Sequence, residues 1–130
     1  MKAITLWQPW ASYIAVGSKR YETRSWATSY RGPLAIHASA RKMTEGERDL
    51  LEDYPFPHGY GPLPFGAVVA TCELVECVRM TDAAIAAREC IELDLGDWYP
   101  GRFAWCLVNV VSLSEPIPAK GAQGLWEWTR

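Results

Sequence analysis

The sequence predicts an α+β domain built on a curved or closed sheet, with five or six short strands and two or three helices between them. The chain has 130 residues, enough for one domain with a single core, which we place over residues 1–130. Hydrophobic residues make up 49% of the chain and charged residues 22%, as is typical of globular proteins. Short strand patterns alternate with short helical ones, and in a chain of this size the strands form one small sheet against which the helices pack.

The N-terminal part predicts a strand, a helix and two further strands. The first strand is expected over Ala3 to Trp7. Pro9 suits the start of a helix, and Gly17 suits its end, because glycine adopts the left-handed conformation without strain. Over residues 20–24, charged side chains alternate with uncharged ones, as they do on the two faces of a strand. Residues 32–38 predict the next strand.

The middle of the chain predicts a capped helix, a loop and a long strand. Thr44 to Glu47 match a capping box, which predicts a short acidic helix ending near Asp53. Residues 54–66 contain four prolines and three glycines, which indicates a structured loop or a lid. Val68 to Val78 predict a strand.

The C-terminal part predicts one more helix and two more strands. Thr81 or Asp82 suits the N-cap of a helix that extends through Ile91. Phe103 to Leu113 predict a long strand, which Pro116 and Pro118 would end. A glycine turn at residues 121–124 leads to a closing strand over residues 125–128.

Charge is unevenly distributed along the chain. Residues 1–42 carry seven basic side chains and one acidic one, whereas residues 43–130 carry six basic and fourteen acidic ones, for a total of −2. This asymmetry predicts one electropositive face, suited to a phosphate or another anion, on an otherwise acidic body. Proteins that bind long duplex nucleic acid usually show a larger basic excess, so a nucleotide or a short single strand fits better.

Several classes of protein are not indicated by the sequence. No apolar run approaches the roughly 20 residues that span a bilayer, and Gln8, Pro9 and Trp10 interrupt any N-terminal signal peptide, so we expect a cytoplasmic protein. The cysteines form no Cys-x-x-Cys pair, so we expect buried free thiols, no metal site and no other cofactor. The oligomeric state stays open, with a monomer favoured. These cysteines are Cys72, Cys77, Cys90 and Cys106.

The segment from Gly17 to Arg24 contains the first candidate site residues. A helix, a glycine turn and a strand would place Lys19 at the mouth of the strand, with Glu22 and Arg24 further along one side. An ammonium, a carboxylate and a guanidinium in one small volume either perturb each other's pKa values or bind a polar ligand. The alternative is a solvated edge strand with mixed charges.

Four motifs together resemble the ASCH domain, the activating signal cointegrator homology domain of the PUA-like superfamily. The resemblance is closest over residues 4–42 and continues through the strands at 66–78 and 98–111. It implies a small PUA-like β-barrel with a cleft into which Lys19, Glu22 and Arg24 point, and work on nucleic acid or its components. The motifs are Leu6-Trp7-Gln8-Pro9-Trp10-Ala11-Ser12, Gly17-x-Lys19-Arg20-x-Glu22-x-Arg24-x-Trp26, Tyr30-Arg31-Gly32-x-Leu34-x-Ile36 and Gly124-Leu125-Trp126.

The resemblance implies two functional classes. Some small bacterial members hydrolyse the amide of N4-acetylcytidine and related N4-acylated cytosines, with an essential lysine at the position of Lys19. In those members, a threonine stands where this chain has Glu22. They also have a further glutamate on a later helix, and its candidate counterparts in this chain are Glu89 and Glu92. Thr23 is adjacent, but strand neighbours face opposite sides, so it does not simply replace that threonine. Other members bind nucleic acid through a basic cleft.

For an amidohydrolase, we expect Glu22 to activate a water molecule and Lys19 to stabilise the oxyanion or to protonate the leaving amine. Arg24 would hold this pair or bind the pyrimidine carbonyl. Glu73 lies on a strand and needs a partner if it is buried. Its two alternative roles are a catalytic one and a salt bridge with Lys19 or Arg24. The further substrate-binding candidates, of which the tryptophans are equally explained as core residues, are Trp7, Trp10, Trp26, Arg31, His37 and Trp126.

The alternative is a non-catalytic module that binds RNA or DNA. Its basic side chains would then form a track for phosphates, since contacts to phosphates position a protein on a nucleic acid. The partner is accordingly a cytosine nucleoside or a single-stranded nucleic acid. The residues of this track are Lys19, Arg20, Arg24, Arg31, Arg41 and Lys42.

Overall fold

The computed structural model describes residues 1–130 as six strands and four short helices, so the fold is α+β, as predicted. The elements are β1 (Lys2–Leu6), α1 (Trp10–Ala15), β2 (Tyr21–Arg24), β3 (Gly32–Ala38), α2 (Glu45–Asp53), β4 (Ala67–Arg79), α3 (Asp82–Ala86), α4 (Cys90–Asp94), β5 (Phe103–Pro118) and β6 (Leu125–Glu127). No helix has the length and apolar character needed to cross a membrane.

All six strands belong to one sheet in the order β2-β5-β4-β3-β1-β6. Neighbouring strands are antiparallel except β1 and β3, which are parallel. The register between β4 and β5 shifts at three points, and such bulges bend and twist a sheet. The sheet therefore curls into a half-barrel, which confirms the predicted curvature.

The curl brings the two edges of the sheet close together. Arg24, on the edge strand β2, donates from Nη2 to the backbone carbonyl of Thr5 on β1, at 2.9 Å. Helix α1 packs on the concave side, where Ile14 joins Ile36, Leu74 and Trp105 in the main core. The space left between the two edges is the one in which a ligand can reach buried polar groups.

Strand β5 runs through both prolines that were expected to end it. Pro118 still pairs with Ala67 of β4. On its other side, β5 is covered by β2 only from Phe103 to Cys106. Its later residues therefore form a free edge, where the missing N–H of proline costs no ladder hydrogen bond. The predicted end of the strand was wrong for this reason.

The helix predicted to extend through Ile91 is instead two helices, α3 and α4. Thr81 caps α3, since its hydroxyl accepts from the N–H of Ala84 at 3.1 Å. The chain then turns at Arg88, whose guanidinium lies 4.8 Å from the centre of the Tyr21 ring. This tertiary contact lies in the turn between the two helices, and the helices number four rather than the two or three predicted.

The other local predictions agree well with the structure. Gly17 has a φ of 88° after α1, as expected of a glycine that ends a helix. The capping box of α2 is present, with Thr44 and Glu47 bonded in both directions. The expectation of buried cysteines was wrong in part, because all four are free but only Cys72 is buried. Burial raises the pKa of Cys72 to about 12.

Candidate functional site

A cavity of about 670 Å³ opens between the two edges of the curled sheet. Its volume falls within the range of pockets that bind small molecules. The loop at residues 54–66 is ordered, as predicted, but none of its residues lines this cavity, so the structure does not place it as a lid. The lining residues are Thr5, Leu6, Trp7, Trp10, Lys19, Glu22, Thr23, Arg24, Ser25, Trp26, Asp94, Leu95, Gly96, Asp97, Arg102, Ala122, Gln123 and Gly124.

Lys19 lines the cavity although only 1% of the residue is exposed. Its ammonium donates a hydrogen bond to the carbonyl of Leu95, at 2.7 Å. Burial lowers the pKa of Lys19, and the nearby carboxylates, chiefly those of Glu22 and Glu92, offset this shift only in part. Lys19 therefore releases a proton more readily than an ordinary lysine does.

Glu22 and Arg24 form an ion pair beside Lys19. Glu22 is 7% exposed, and its Oε2 lies 2.9 Å from Nε of Arg24. The other oxygen of Glu22 accepts from the backbone N–H of Thr23 at 3.1 Å. Both side chains come from alternate positions of β2, so the strand directs them to the same side. The structure thus brings Lys19, Glu22 and Arg24 together at one cavity.

Glu92, on α4, is a second buried carboxyl group beside Lys19. It is 5% exposed, whereas Glu89 is exposed, so only Glu92 of the two glutamates named from the sequence is buried, and neither lines the cavity. Its Oε1 accepts from the backbone N–H of Arg20, and its Oε2 is buried without a hydrogen-bond partner. Burial raises the pKa of Glu92, and the hydrogen bond from Arg20 and the charge of Lys19 oppose this in part.

Thr23 also lines the cavity, contrary to the expectation that it faces away. The loop at residues 94–97 folds over the side of β2 on which Thr23 lies. The Thr23 hydroxyl accepts a hydrogen bond from the N–H of Asp97 at 3.2 Å. A Cβ atom on Gly96 would lie 3.1 Å from Nζ of Lys19 and 3.2 Å from Oγ1 of Thr23. A glycine at this position therefore lets the loop approach both groups.

The tryptophans divide into two groups. Trp7, Trp10 and Trp26 line the cavity, and Trp7 is 54% exposed. Trp126 and His37, by contrast, do not line it. They pack edge to face, with ring centres 5.4 Å apart. Their expected contact with substrate is thus not supported.

His37 and Trp126 instead hold the segment before β6. Ring nitrogen Nε2 of His37 lies 2.7 Å from the carbonyl of Ala119, which can only accept, so this nitrogen donates. Nδ1 then accepts from the hydroxyl of Thr5, at 3.1 Å. The same hydroxyl accepts from the indole N–H of Trp126, at 3.0 Å. His37 is therefore a hydrogen-bonded core histidine, one of the interpretations that its strand position allowed.

Glu73 lies outside the site. It is exposed on β4, opposite Pro33 in the sheet, and does not line the cavity. Lys19 and Arg24 have other partners, so the predicted ion pair with Glu73 was wrong. Glu73 faces solvent, and an exposed carboxylate needs no partner.

The residues of the predicted phosphate track do not all line the cavity. Of its six residues, only Lys19 and Arg24 line the cavity. Arg31 is exposed and lies 3.4 Å from a carboxylate oxygen of Glu76. Arg41 pairs with Glu47 at 2.8 Å. The remaining two, Arg20 and Lys42, are exposed away from the cavity.

Three charged cavity residues, Asp94, Asp97 and Arg102, were not identified from the sequence. Arg102 donates from Nε to the carbonyl of Asp97 at 2.9 Å and from Nη2 to the carbonyl of Thr23 at 3.1 Å. Asp97 lies close enough to Lys19 to influence its pKa. The sequence signal at residues 94–101 indicated only turns, because the site forms when this loop folds back on β2.

The comparisons with known proteins agree on the family and the fold. The model of the ASCH domain matches residues 4–117. The chain is 36% identical over 133 residues to Activating signal cointegrator 1 of Homo sapiens and 27% identical to that of Mus musculus. These alignments cover 95% of the chain but 22% of each relative, so the chain spans about a fifth of their length.

Among solved structures, the chain is similar to the crystal structure of ASCH from Zymomonas mobilis, with a TM-score of 0.62 and 19% identity. The superposition covers 99% of this chain and 87% of that one. A point mutant of the same protein gives the same TM-score. This likeness confirms the predicted fold.

Proposed function

Because the chain belongs to the ASCH domain family, we propose that its cavity hydrolyses the amide bond of N4-acylated cytosine nucleosides. One observation carries the proposal. The buried ammonium of Lys19 and the buried carboxylate of Glu22 line the same cavity, whose volume of about 670 Å³ accommodates a nucleoside. Buried groups of opposite charge that face a ligand-sized cavity are the arrangement that acid–base catalysis requires.

In the proposed reaction, Glu22 takes a proton from a water molecule, and the resulting hydroxide attacks the carbonyl carbon of the acyl group. Lys19 stabilises the negative charge that develops on the carbonyl oxygen, a contribution of about 3 kcal/mol to the barrier. Lys19 then donates a proton to the exocyclic nitrogen, and the carbon–nitrogen bond breaks. The proton on Glu22 returns to Lys19, leaving cytidine and a carboxylic acid as products.

The hydrogen-bonding capacity of each group supports these roles. An ammonium has three donors, and Lys19 uses one on Leu95, so two remain for the substrate. Each oxygen of Glu22 accepts one bond from the protein, and a carboxylate oxygen can accept a second. Arg24 uses Nε and Nη2 on the protein, which leaves Nη1 for the carbonyl of the pyrimidine.

Other cavity residues supply the walls of the site. Trp10 and Trp26 are half-buried and offer aromatic surface to a flat base. The carboxylate of Asp97 is available to accept from ribose hydroxyls. Glu92 acts as a positioning residue, because its bond to the N–H of Arg20 fixes the backbone next to Lys19.

Hydrolysis is tested by incubating the purified protein with N4-acetylcytidine and measuring cytidine and acetate by chromatography. The Glu22→Gln variant is expected to lower kcat/KM by about 100-fold or more. Glu73→Gln is the matched control, because it makes the same change at an exposed position outside the cavity. The proposal fails if the wild-type protein releases no cytidine, or if both variants release it at the wild-type rate.

A second candidate function is the binding of single-stranded nucleic acid without hydrolysis. The observation that favours it is the exposure of Trp7 at the cavity, together with the guanidinium of Arg102. Binding of a fluorescent oligonucleotide at several salt concentrations tests it, since each phosphate contact adds to the slope of log K against log salt. Salt-dependent binding without turnover would favour this function over hydrolysis.

A further inference from the structure

Trp7 is the most exposed tryptophan at the cavity, and a cation packs against one face of its ring. More than half of the residue is exposed, at 54%, whereas the other tryptophans of the cavity, Trp10 and Trp26, are half-buried. The guanidinium carbon of Arg41 lies 3.8 Å from the centre of the Trp7 indole. Arg41 therefore covers one face of the indole, and Trp7 lines the cavity whereas Arg41 does not.

Arg41 is itself fixed by the start of α2. Its Nη2 donates to both oxygens of Glu47, at 2.8 and 3.0 Å, and its Nη1 donates to the carbonyl of Lys42 at 3.2 Å. Its Nε is buried without a hydrogen-bond acceptor, consistent with a guanidinium that lies against the ring.

Glu47 is fixed in turn by the capping box of α2. It accepts from the backbone N–H of Thr44 at 2.8 Å, and its own N–H donates to the Thr44 hydroxyl at 3.2 Å. Burial raises the pKa of Glu47, but the hydrogen bonds from Arg41 and Thr44 outweigh this effect and lower it. Helix α2, the carboxylate of Glu47, the guanidinium of Arg41 and the indole of Trp7 therefore form one connected chain of contacts that restrains the indole.

A ring that is fixed on one face and open on the other is suited to stacking with a second planar ring. Base–aromatic stacking is tolerant of sequence, because every base has a π-face. An ordered ring also lowers the entropy cost of binding. The ligand chemistry that fits Trp7 is thus a nucleobase.

A base that reacts at Lys19 and a base that stacks on Trp7 need different surroundings. Lys19 is 1% exposed and Trp7 is 54% exposed, so a group that reaches Lys19 is buried, whereas one that covers Trp7 stays close to solvent. For a pyrimidine whose acyl group reaches Lys19, the half-buried Trp10 and Trp26 of the same cavity are available as aromatic walls. Trp7 is then left for a base that adjoins it.

We propose that the Trp7–Arg41 pair binds the base next to the acylated cytosine, so that the preferred substrate is a single-stranded polynucleotide rather than a free nucleoside. The inference rests on the proposed function for the identity of the reacting base. The stacking subsite itself depends only on the geometry of Trp7, Arg41 and Glu47.

The first experiment compares kcat/KM for N4-acetylcytidine with that for RNA and DNA trinucleotides that carry N4-acetylcytosine at the centre. The Trp7→Ala variant is expected to lower the ratio of the trinucleotide value to the nucleoside value by roughly tenfold or more. Trp7→Phe, which keeps an aromatic ring, is expected to retain most of the activity. An equal loss on both substrates, or no loss on either, would overturn the subsite.

Matched variants separate stacking from general effects on the surface. Phe65→Ala removes an exposed aromatic side chain that, unlike Trp7, does not line the cavity. It is expected to leave kcat/KM unchanged for both substrates. Arg41→Gln removes the cation behind the indole and is expected to lower only the trinucleotide value, by several-fold. Arg48→Gln, an exposed arginine on α2, is its control. A loss in the control as large as that in the test variant would contradict the proposal.

A binding measurement distinguishes failure of the subsite from failure of the proposed function. Fluorescence anisotropy of a labelled, unmodified pentanucleotide, as RNA and as DNA, is measured with the wild-type protein and with Trp7→Ala. Weaker binding by the variant supports the subsite even if no acetylcytidine is hydrolysed. Hydrolysis of the nucleoside together with equal pentanucleotide binding by both proteins would overturn the subsite and leave the proposed function standing.

Discussion

The ammonium of Lys19 donates a hydrogen bond to the backbone carbonyl of Leu95 at 2.7 Å, and this contact joins the loop before β2 to the loop after α4. The two segments are far apart in sequence and share the wall of the cavity. A buried ammonium with one protein acceptor keeps two donors for a ligand.

The pH dependence of hydrolysis reports the protonation of Lys19. As a proton donor, Lys19 has to be charged, and burial lowers its pKa below the ordinary value of 10.5. We therefore expect kcat/KM for N4-acetylcytidine to decrease as pH rises, with the midpoint below 10.5, after subtraction of the uncatalysed rate. A profile that stays flat up to pH 10.5 would contradict the assignment of Lys19 as the acid.

The Glu92→Gln variant tests the effect of burial on that carboxyl group. The pKa of Glu92 is raised above 4.5 in the folded protein, so the folded state holds its proton more tightly than the unfolded one. This contribution to stability is complete below the unfolded pKa and is lost as pH rises through the folded one. As pH rises through the folded pKa, the free energy of unfolding of the variant should therefore increase relative to that of the wild type. The increase is about 1.4 kcal/mol for each unit by which burial raises the pKa of Glu92.

Urea denaturation between pH 4 and pH 8 measures this gain. Glu89→Gln is the control, since Glu89 is exposed on the surface near the same helix. A difference between Glu92→Gln and the wild type that does not change with pH would show that burial of Glu92 has no such effect.

The Gly96→Ala variant tests the close approach of the loop at residues 94–97 to the site. The added Cβ would lie 2.9 Å from Nε1 of Trp98 and 3.1 Å from Nζ of Lys19, so these side chains have to move. We expect kcat/KM to fall by about tenfold or more, because a misplacement of about 1 Å at a catalytic group can cost 100-fold. Gly46→Ala is the control, since a Cβ there meets nothing within 4 Å.

The control is also informative in its own right. Gly46 lies inside α2, where alanine is favoured over glycine by about 0.5–1 kcal/mol, so its replacement should stabilise the protein and leave kcat/KM unchanged. Full activity of Gly96→Ala in the same assay would show that Lys19 does not need its present position.

The Arg24→Lys variant tests whether the guanidinium is needed to hold Glu22. Arg24 bonds Glu22 through Nε and the carbonyl of Thr5 through Nη2, both at 2.9 Å. A lysine cannot reproduce this forked geometry. We expect kcat/KM to fall by about tenfold or more, while Arg31→Lys, on an exposed pair 3.4 Å apart, stays at the wild-type level. Comparable rates for both variants would contradict a role for Arg24 in positioning.

The parts of the fold that local rules govern could be predicted from the sequence. The capping box at Thr44, the glycine turn at Gly17 and the bounds of β3 follow from interactions between residues close in sequence. The alternation along β2 correctly placed Glu22 and Arg24 on one side.

The remaining features depend on contacts between distant segments. Pro118 stays within a strand because β2 is too short to cover it, and Arg102 enters the site because its loop folds onto Thr23. Glu92 could be distinguished from Glu89 only once α4 was seen to be a separate helix, with Glu92 turned inward. None of these relationships leaves a periodic signal in the sequence.

Release of cytidine from N4-acetylcytidine by wild-type protein and by Lys19→Met, purified in parallel, tests the central claim most directly. Methionine has a similar volume but leaves the nearby carboxylates of Glu22 and Glu92 without the ammonium, so circular dichroism first verifies that the variant is folded at the assay temperature. The account predicts that the wild type releases cytidine and that the variant does so at least about 100-fold more slowly. Equal release by the two proteins would contradict it.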